Sequence, residues 1–105
     1  AAAALILTAK GYRILARRYK TPHGEIDLVA RRGGAVAFVE VKARADLEQA
    51  LAALTPAMKA RIGNAARHYL AAHPQFATFI LRFDVIAYVS PLCWRHLDNA
   101  WFPPA

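Results

Sequence analysis

The sequence predicts an α/β fold, a mixed β-sheet with helices packed on it, in the order helix, three strands, helix, one or two strands. Three observations predict it. Two apolar runs of strand length, residues 25–30 and 35–43, flank a paired-glycine turn. A stretch with apolar residues at helical spacing follows, opened by capping residues. A second β-rich run, residues 77–89, comes after it. At 105 residues and 57% hydrophobic, the chain suits one domain, residues 1–105, built around one core.

Residues 1–10, rich in Ala and Leu, read as the end of a helix closed by Gly11, the residue type that most easily takes the left-handed conformation found there. A start without Met is consistent with a trimmed or truncated N-terminus. The apolar opening has no charged segment before it and is too short to cross a bilayer, so it reads neither as a signal peptide nor as an anchor. Residues 12–19 form a strand carrying Tyr12, Ile14 and Leu15. Thr21-Pro22-His23-Gly24 is turn chemistry, and residues 25–30 are the second strand. Arg31-Arg32-Gly33-Gly34 signals a hairpin, because paired glycines accept the positive φ angles of a tight turn. Residues 35–43 are the most apolar strand and therefore the central one.

Residues 46–54 form a short helical stretch. Thr55-Pro56 then starts a longer helix, with Thr as N-cap and Pro at the first helical position. Met58, Ile62, Ala65, Ala66, Tyr69 and Leu70 make its apolar face, and His73-Pro74 ends it. Residues 94–101 are a final strand or a turn anchored by two indoles.

Fourteen Lys and Arg oppose seven Asp and Glu, a formal net charge of +7. That excess favours a polyanionic partner, since each neutralised phosphate releases counterions. The charge is also unevenly placed. Lys10, Arg13, Arg17, Arg18 and Lys20 come with no acid among them, and Arg31, Arg32 and Arg44 follow. Glu25, Asp27 and Glu40 sit inside this basic stretch. The lone Cys93 excludes an intrachain disulfide and fits a reducing cytoplasm, and no Cys or His spacing suggests zinc. Ser90 and Thr55 have no neighbouring base, so a hydrolase triad has no support.

Side chains alternate along a strand, so Glu25 and Asp27 share one face, as do Glu40 and Lys42. A two-residue loop at Gly33-Gly34 pairs residues whose numbers sum to 67, which sets Asp27 against Glu40 and Glu25 against Lys42. Carboxylates directly opposed repel by several tenths of a kcal/mol. A divalent cation removes the conflict, and hard oxygen ligands favour Mg²⁺ or Mn²⁺. The expected site is therefore a phosphodiesterase-type centre, with Asp27 and Glu40 on the metal and Lys42 beside the scissile phosphate. The competing reading is a surface lattice of Glu25–Lys42 and Asp27–Arg pairs.

The runs Gly24-Glu25-Ile26-Asp27-Leu28-Val29-Ala30 and Phe38-Val39-Glu40-Val41-Lys42-Ala43-Arg44 resemble the YraN family of small bacterial proteins. Gly11-Tyr12-Arg13-Ile14-Leu15, the helix from Lys59 to Leu70 and Arg82-Phe83-Asp84-Val85 extend the resemblance over residues 5–101. The family looks like part of the PD-(D/E)xK nuclease superfamily, close to archaeal Holliday-junction resolvases. The resemblance implies a restriction-endonuclease-like sheet and a metal-dependent endonuclease acting on branched or otherwise structured DNA. It makes Asp27 the motif Asp, Glu40 the acidic metal ligand, Lys42 the motif lysine and Glu25 an auxiliary catalytic residue. Symmetric junction cleavage adds a homodimer. Such relatives commonly carry a further Glu on the first helix, and no acid precedes Glu25 here. A nucleic-acid-binding module with this fold and no turnover is the alternative; a protein-interaction subunit using the C-terminal tryptophans is a third.

The expected phosphate contacts are Arg13, Arg17, Arg18, Lys20, Arg31, Arg32, Arg44 and Lys59. His23 reads as a solvated turn residue, and His68 and His73 have poor metal spacing. His96 has no partner identifiable from sequence. Arg82 and Asp84 share a strand face and read as a structural ion pair. Trp94 and Trp101 read as buried anchors, with stacking on unpaired bases as the other option.

Overall fold

In the computed structural model, which describes residues 2–104, the elements are α1 (Ala2–Ala9), β1 (Arg13–Thr21), β2 (Gly24–Arg32) and β3 (Ala35–Ala43), then α2 (Leu47–Ala52) and α3 (Pro56–Ala72), and finally β4 (Ile80–Ser90) and β5 (Cys93–Leu97). Ala1 and Ala105, which the expected helix and domain included, lie outside the described residues. The five strands form one sheet in the order β1-β2-β3-β4-β5. Neighbours are antiparallel except β3 and β4, which run parallel. The parallel pair is possible because α2 and α3 carry the chain back across the sheet. This is the mixed sheet flanked by helices that the sequence predicts, with one short helix more than its simplest element count.

Local chemistry sets the boundaries. The α1 helix ends at Gly11, whose φ of +90° is readily open to glycine. Asp46 caps α2 by accepting the Gln49 N–H at 2.8 Å, and Thr55 caps α3 by accepting the Met58 N–H at 3.2 Å. The late strand starts at Ile80, three residues beyond the expected start, because Pro74–Phe76 form a 3-10 turn that buries Phe76. Residues 94–101 contribute a true strand, β5, hydrogen-bonded antiparallel to β4.

Strand β3 is central, and Val36, Ala37, Phe38 and Val39 are buried on both of its faces. On one face Phe38, Val36 and Val85 pack beneath α3 through Ile62, Ala66 and Tyr69. On the other, Leu28, Val39 and Ile86 lie beneath α1 through Ala3, Ala4 and Leu7. Among the described residues no helix is long and apolar enough to cross a membrane.

Gly24 marks where α3 presses on the sheet. A methyl group there would meet the Arg61 backbone carbonyl, which cannot swing aside as a side chain can. Gly24→Ala is therefore expected to cost about 1–3 kcal/mol, as overpacking does, read as a lower urea midpoint. Gly34→Ala, where nothing lies within 4 Å of the added carbon, is the control.

Candidate active site

The β2–β3 ladder runs from Arg32–Ala35 to Leu28–Val39, each pair summing to 67 as the hairpin predicts. There the regular pairing stops, and the Asp27 carboxylate takes over the work of a backbone carbonyl. Its Oδ2 accepts the Val41 N–H at 2.8 Å. The cause is a local break in alternation. Ile26 packs into the core beneath α3, whereas Leu28 packs into the core beneath α1. Regular alternation would put both on one face, so the strand rotates at Asp27. On β1, Arg18 falls between the pairs Arg17–Leu28 and Tyr19–Ile26 and adopts a φ of +48°. For an L-residue that conformation costs about 1–2 kcal/mol. Distortions on adjacent strands thus meet at Asp27, the kind of strain that collects at functional sites.

The break changes who shares a face with whom. Asp27 opens onto a cavity of about 290 Å³ on the α1 side, together with Arg17, Arg18, Val41 and Trp94. Glu25 and Glu40 line a smaller hollow, about 140 Å³, against Met58, Arg61 and Ile62 of α3. Glu25 is exposed, its place is beyond the end of the β2–β3 ladder, and its backbone partner is Lys20 on β1, so the expected Glu25–Lys42 pairing is not formed. Lys42 instead pairs with Glu40, Nζ to Oε2 at 3.4 Å.

Asp27 and Glu40 still meet, across the gap where the strands part. Glu40 is pushed up to about 8, by burial first, then by the hydrogen bond and negative charge of Asp27. Lys42 works against this shift. At neutral pH the pair therefore holds a proton.

A folded-state value raised from 4.5 to about 8 means that this group's contribution to stability is complete below about 4.5 and is lost as pH rises toward 8. The metal-free protein is expected to show a falling Tm across that window. In Glu40→Gln that part of the slope disappears, as parallel thermal melts from pH 5 to 9 would show. An identical slope in both proteins contradicts the assignment.

The predicted basic residues other than Lys59 divide into two groups. Arg17 and Arg18 line the cavity beside Asp27, and Lys20 and Arg44 are exposed near the same ends of their strands. Arg13, Arg31 and Arg32 gather at the opposite, hairpin end, where Arg13 pairs with Arg31 and Arg32 with Ala35. Lys59 is half-buried on α3. Sequence reasoning missed Arg61, which reaches the Glu40 hollow; its signal was Gly24, whose missing side chain admits the Arg61 backbone. It also left His96 without a partner, and the structure supplies two: Asp84 at 2.9 Å and Lys10 at 2.7 Å. The Arg82–Asp84 ion pair forms as expected, at 2.7 Å. Trp101 is buried, whereas Trp94 is half-exposed at the cavity wall.

The profile of the uncharacterised protein family UPF0102 matches residues 1–88. A UPF0102 protein of Bradyrhizobium diazoefficiens is 58% identical over 99 residues, 94% of this chain and 74% of the relative. Another, from Bradyrhizobium sp., is 58% identical over 101 residues, 96% of this chain and 72% of the relative. One from Parvibaculum lavamentivorans is 55% identical over 102 residues, 96% of this chain and 76% of the relative. The chain belongs to the UPF0102 family, the YraN family that its motifs resemble.

Proposed function

We propose that this protein is a Mg²⁺- or Mn²⁺-dependent endonuclease that hydrolyses DNA phosphodiester bonds at branched or otherwise structured sites in the cytoplasm. The observation that carries this reading is the meeting of Asp27 and Glu40 at a gap in the sheet, with Lys42 against Glu40. Among the described residues no three His, Cys, Asp or Glu side chains gather for a metal. Two carboxylates are nonetheless a sufficient protein contribution for Mg²⁺, which keeps several waters and shares substrate phosphates. The donor set fits: two carboxyl groups that cannot both ionise freely offer a divalent cation two acidic oxygens in exchange for the proton that Glu40 otherwise keeps.

Bound there, a divalent cation supplies Lewis acidity toward a phosphodiester oxygen. The chain's own residues do the rest. Asp27 is held by the Val41 N–H, so its free oxygen is fixed in direction. Lys42, with its side chain 17% exposed, offsets charge that builds on phosphorus. Arg17 and Arg18 at the cavity rim hold backbone phosphates without reading sequence. Cutting a four-way junction takes two such sites, and the reading therefore includes a homodimer.

A second reading, a DNA-binding module without turnover, is favoured by one observation: among the described residues no third ligand-type side chain gathers with the pair. Incubating the protein with linear, nicked and four-way DNA in Mn²⁺ separates the two. The nuclease reading expects cut strands that vanish in Lys42→Ala. Salt-sensitive binding without any cut strand supports the module, and equal cutting by Lys42→Ala rejects the site.

A further inference from the structure

On the α1 face, reaching from the hairpin end toward the middle of the sheet, a second group of charged side chains is held in a fixed arrangement. Asp84 has no solvent exposure. Its Oδ2 accepts from Arg82 at 2.7 Å and from His96 Nε2 at 2.9 Å, and its Oδ1 accepts the Asn99 N–H at 3.0 Å. Arg82 also donates to the Tyr12 hydroxyl. With Nε2 donating to Asp84, His96 Nδ1 is an acceptor, and the Lys10 ammonium donates to it at 2.7 Å. Arg32 lies with its guanidinium 4.5 Å from the centre of the Tyr12 ring and donates to the Lys10 carbonyl at 3.2 Å.

Arg82 is thus spent on one carboxylate that is enclosed and already saturated, while Lys10 reaches this network only through His96, and Arg32 only through the Tyr12 ring and the Lys10 carbonyl. A clamp joining β4 to β5 requires Asp84, Arg82 and His96 alone. It leaves the positive charges of Lys10 and Arg32 without an anionic partner. Both are exposed, and neither forms an ion pair with a carboxylate among the described residues. Like charges held together repel, and an anion relieves them.

We infer that Lys10 and Arg32 form a second phosphate-binding site, with Lys10 seated on His96 and His96 in turn fixed by Asp84, that seats a backbone phosphate of the nucleic acid reaching the carboxylate pair. An arriving phosphate draws the Lys10 ammonium off His96 Nδ1, and the guanidinium of Arg32 supplies a second donor. Arg32 is five residues along β2 from Asp27, about 17 Å at the rise of a strand. That matches roughly five nucleotides of one duplex strand at 3.4 Å each. The nucleic-acid part of this inference rests on the function proposed above, but not on catalysis.

The test is run in EDTA, so that loss of cutting cannot imitate it. Labelled four-way DNA is titrated by fluorescence anisotropy at several salt concentrations, and inorganic phosphate is titrated while the His96 imidazole signals are followed by NMR. Lys10→Ala is expected to weaken DNA binding about 3- to 10-fold and to lower the salt slope by about one. Its Tm is expected to stay close to that of the unaltered protein, because Lys10 is exposed. Phosphate is expected to shift His96 saturably in the unaltered protein and not in Lys10→Ala. An unchanged salt slope in Lys10→Ala overturns the nucleic-acid assignment, and a His96 signal indifferent to phosphate overturns the site itself. Intact binding at this site alongside absent cleavage in Mn²⁺ would count against the nuclease reading alone.

Discussion

Asp27→Asn and Glu40→Gln are each expected to lower Mn²⁺-dependent DNA cutting by roughly 100- to 1,000-fold or more, the scale set by losing one group that stabilises charge in a transition state. The two substitutions should nevertheless differ in their effect on the fold, and the difference is diagnostic. Glu40→Gln removes a carboxyl that burial and Asp27 hold protonated up to about pH 8, so the metal-free variant should be the more stable protein at alkaline pH. Asp27→Asn keeps a side-chain oxygen that can accept the Val41 N–H. Asp27→Ala does not, and it should add a penalty of about 1–3 kcal/mol for the unpaired amide. Lost cutting with a raised Tm in Glu40→Gln, beside lost cutting with a lowered Tm in Asp27→Ala, separates catalysis from folding. DNA affinity measured in EDTA should largely survive in all three, since the proposed phosphate contacts come from the basic residues around the pair.

Asp84→Ala is expected to cost about 3–5 kcal/mol, a large share of the stability of a small domain. Burial works against the Asp84 charge, yet the hydrogen bonds from His96, Arg82 and the Asn99 N–H leave its pKa below the usual carboxylate range. Its contribution is thus present above about pH 4 and is lost as pH falls, opposite in sign to that of Glu40. Removing it strands a guanidinium whose side chain is 14% exposed and an imidazole that is 6% exposed. Urea denaturation at pH 7 should show the lower midpoint. Asp84→Asn should lose less, because it keeps acceptor capacity for one of the donors. A loss under 1 kcal/mol in Asp84→Ala would mean that water replaces the carboxylate.

Much of this was legible in the sequence, for reasons that can be named. The Gly33-Gly34 turn fixed the pairing sum at 67, and strand apolarity placed β3 at the centre. Thr55 and Pro56 located the start of α3, because capping is local chemistry. Asp27 and Glu40 were brought together as expected, but not by the expected route. Strict alternation put both on one face of a regular hairpin; in the fold the pairing has already ended, and they meet across the gap. Nothing in the local pattern of Ile26-Asp27-Leu28 announces that rotation, since it follows from two cores competing for the two apolar neighbours.

The Lys10–His96–Asp84 network was hidden for a different reason. Its members come from the α1–β1 turn, β4 and β5, with Lys10 and His96 separated by 86 positions. Such contacts depend on sheet order, which sequence spacing does not carry. Arg82 and Asp84, two residues apart on one strand, were legible; their third partner was not.

The central claim is that Asp27 and Glu40 share one divalent cation, and paramagnetic broadening tests it most directly. Substoichiometric Mn²⁺ added to ¹⁵N-labelled protein should broaden the amides of Asp27, Glu40 and Val41 first. The broadening should disappear in Glu40→Gln. Broadening centred on another part of the chain, or none at millimolar Mn²⁺, would contradict the account.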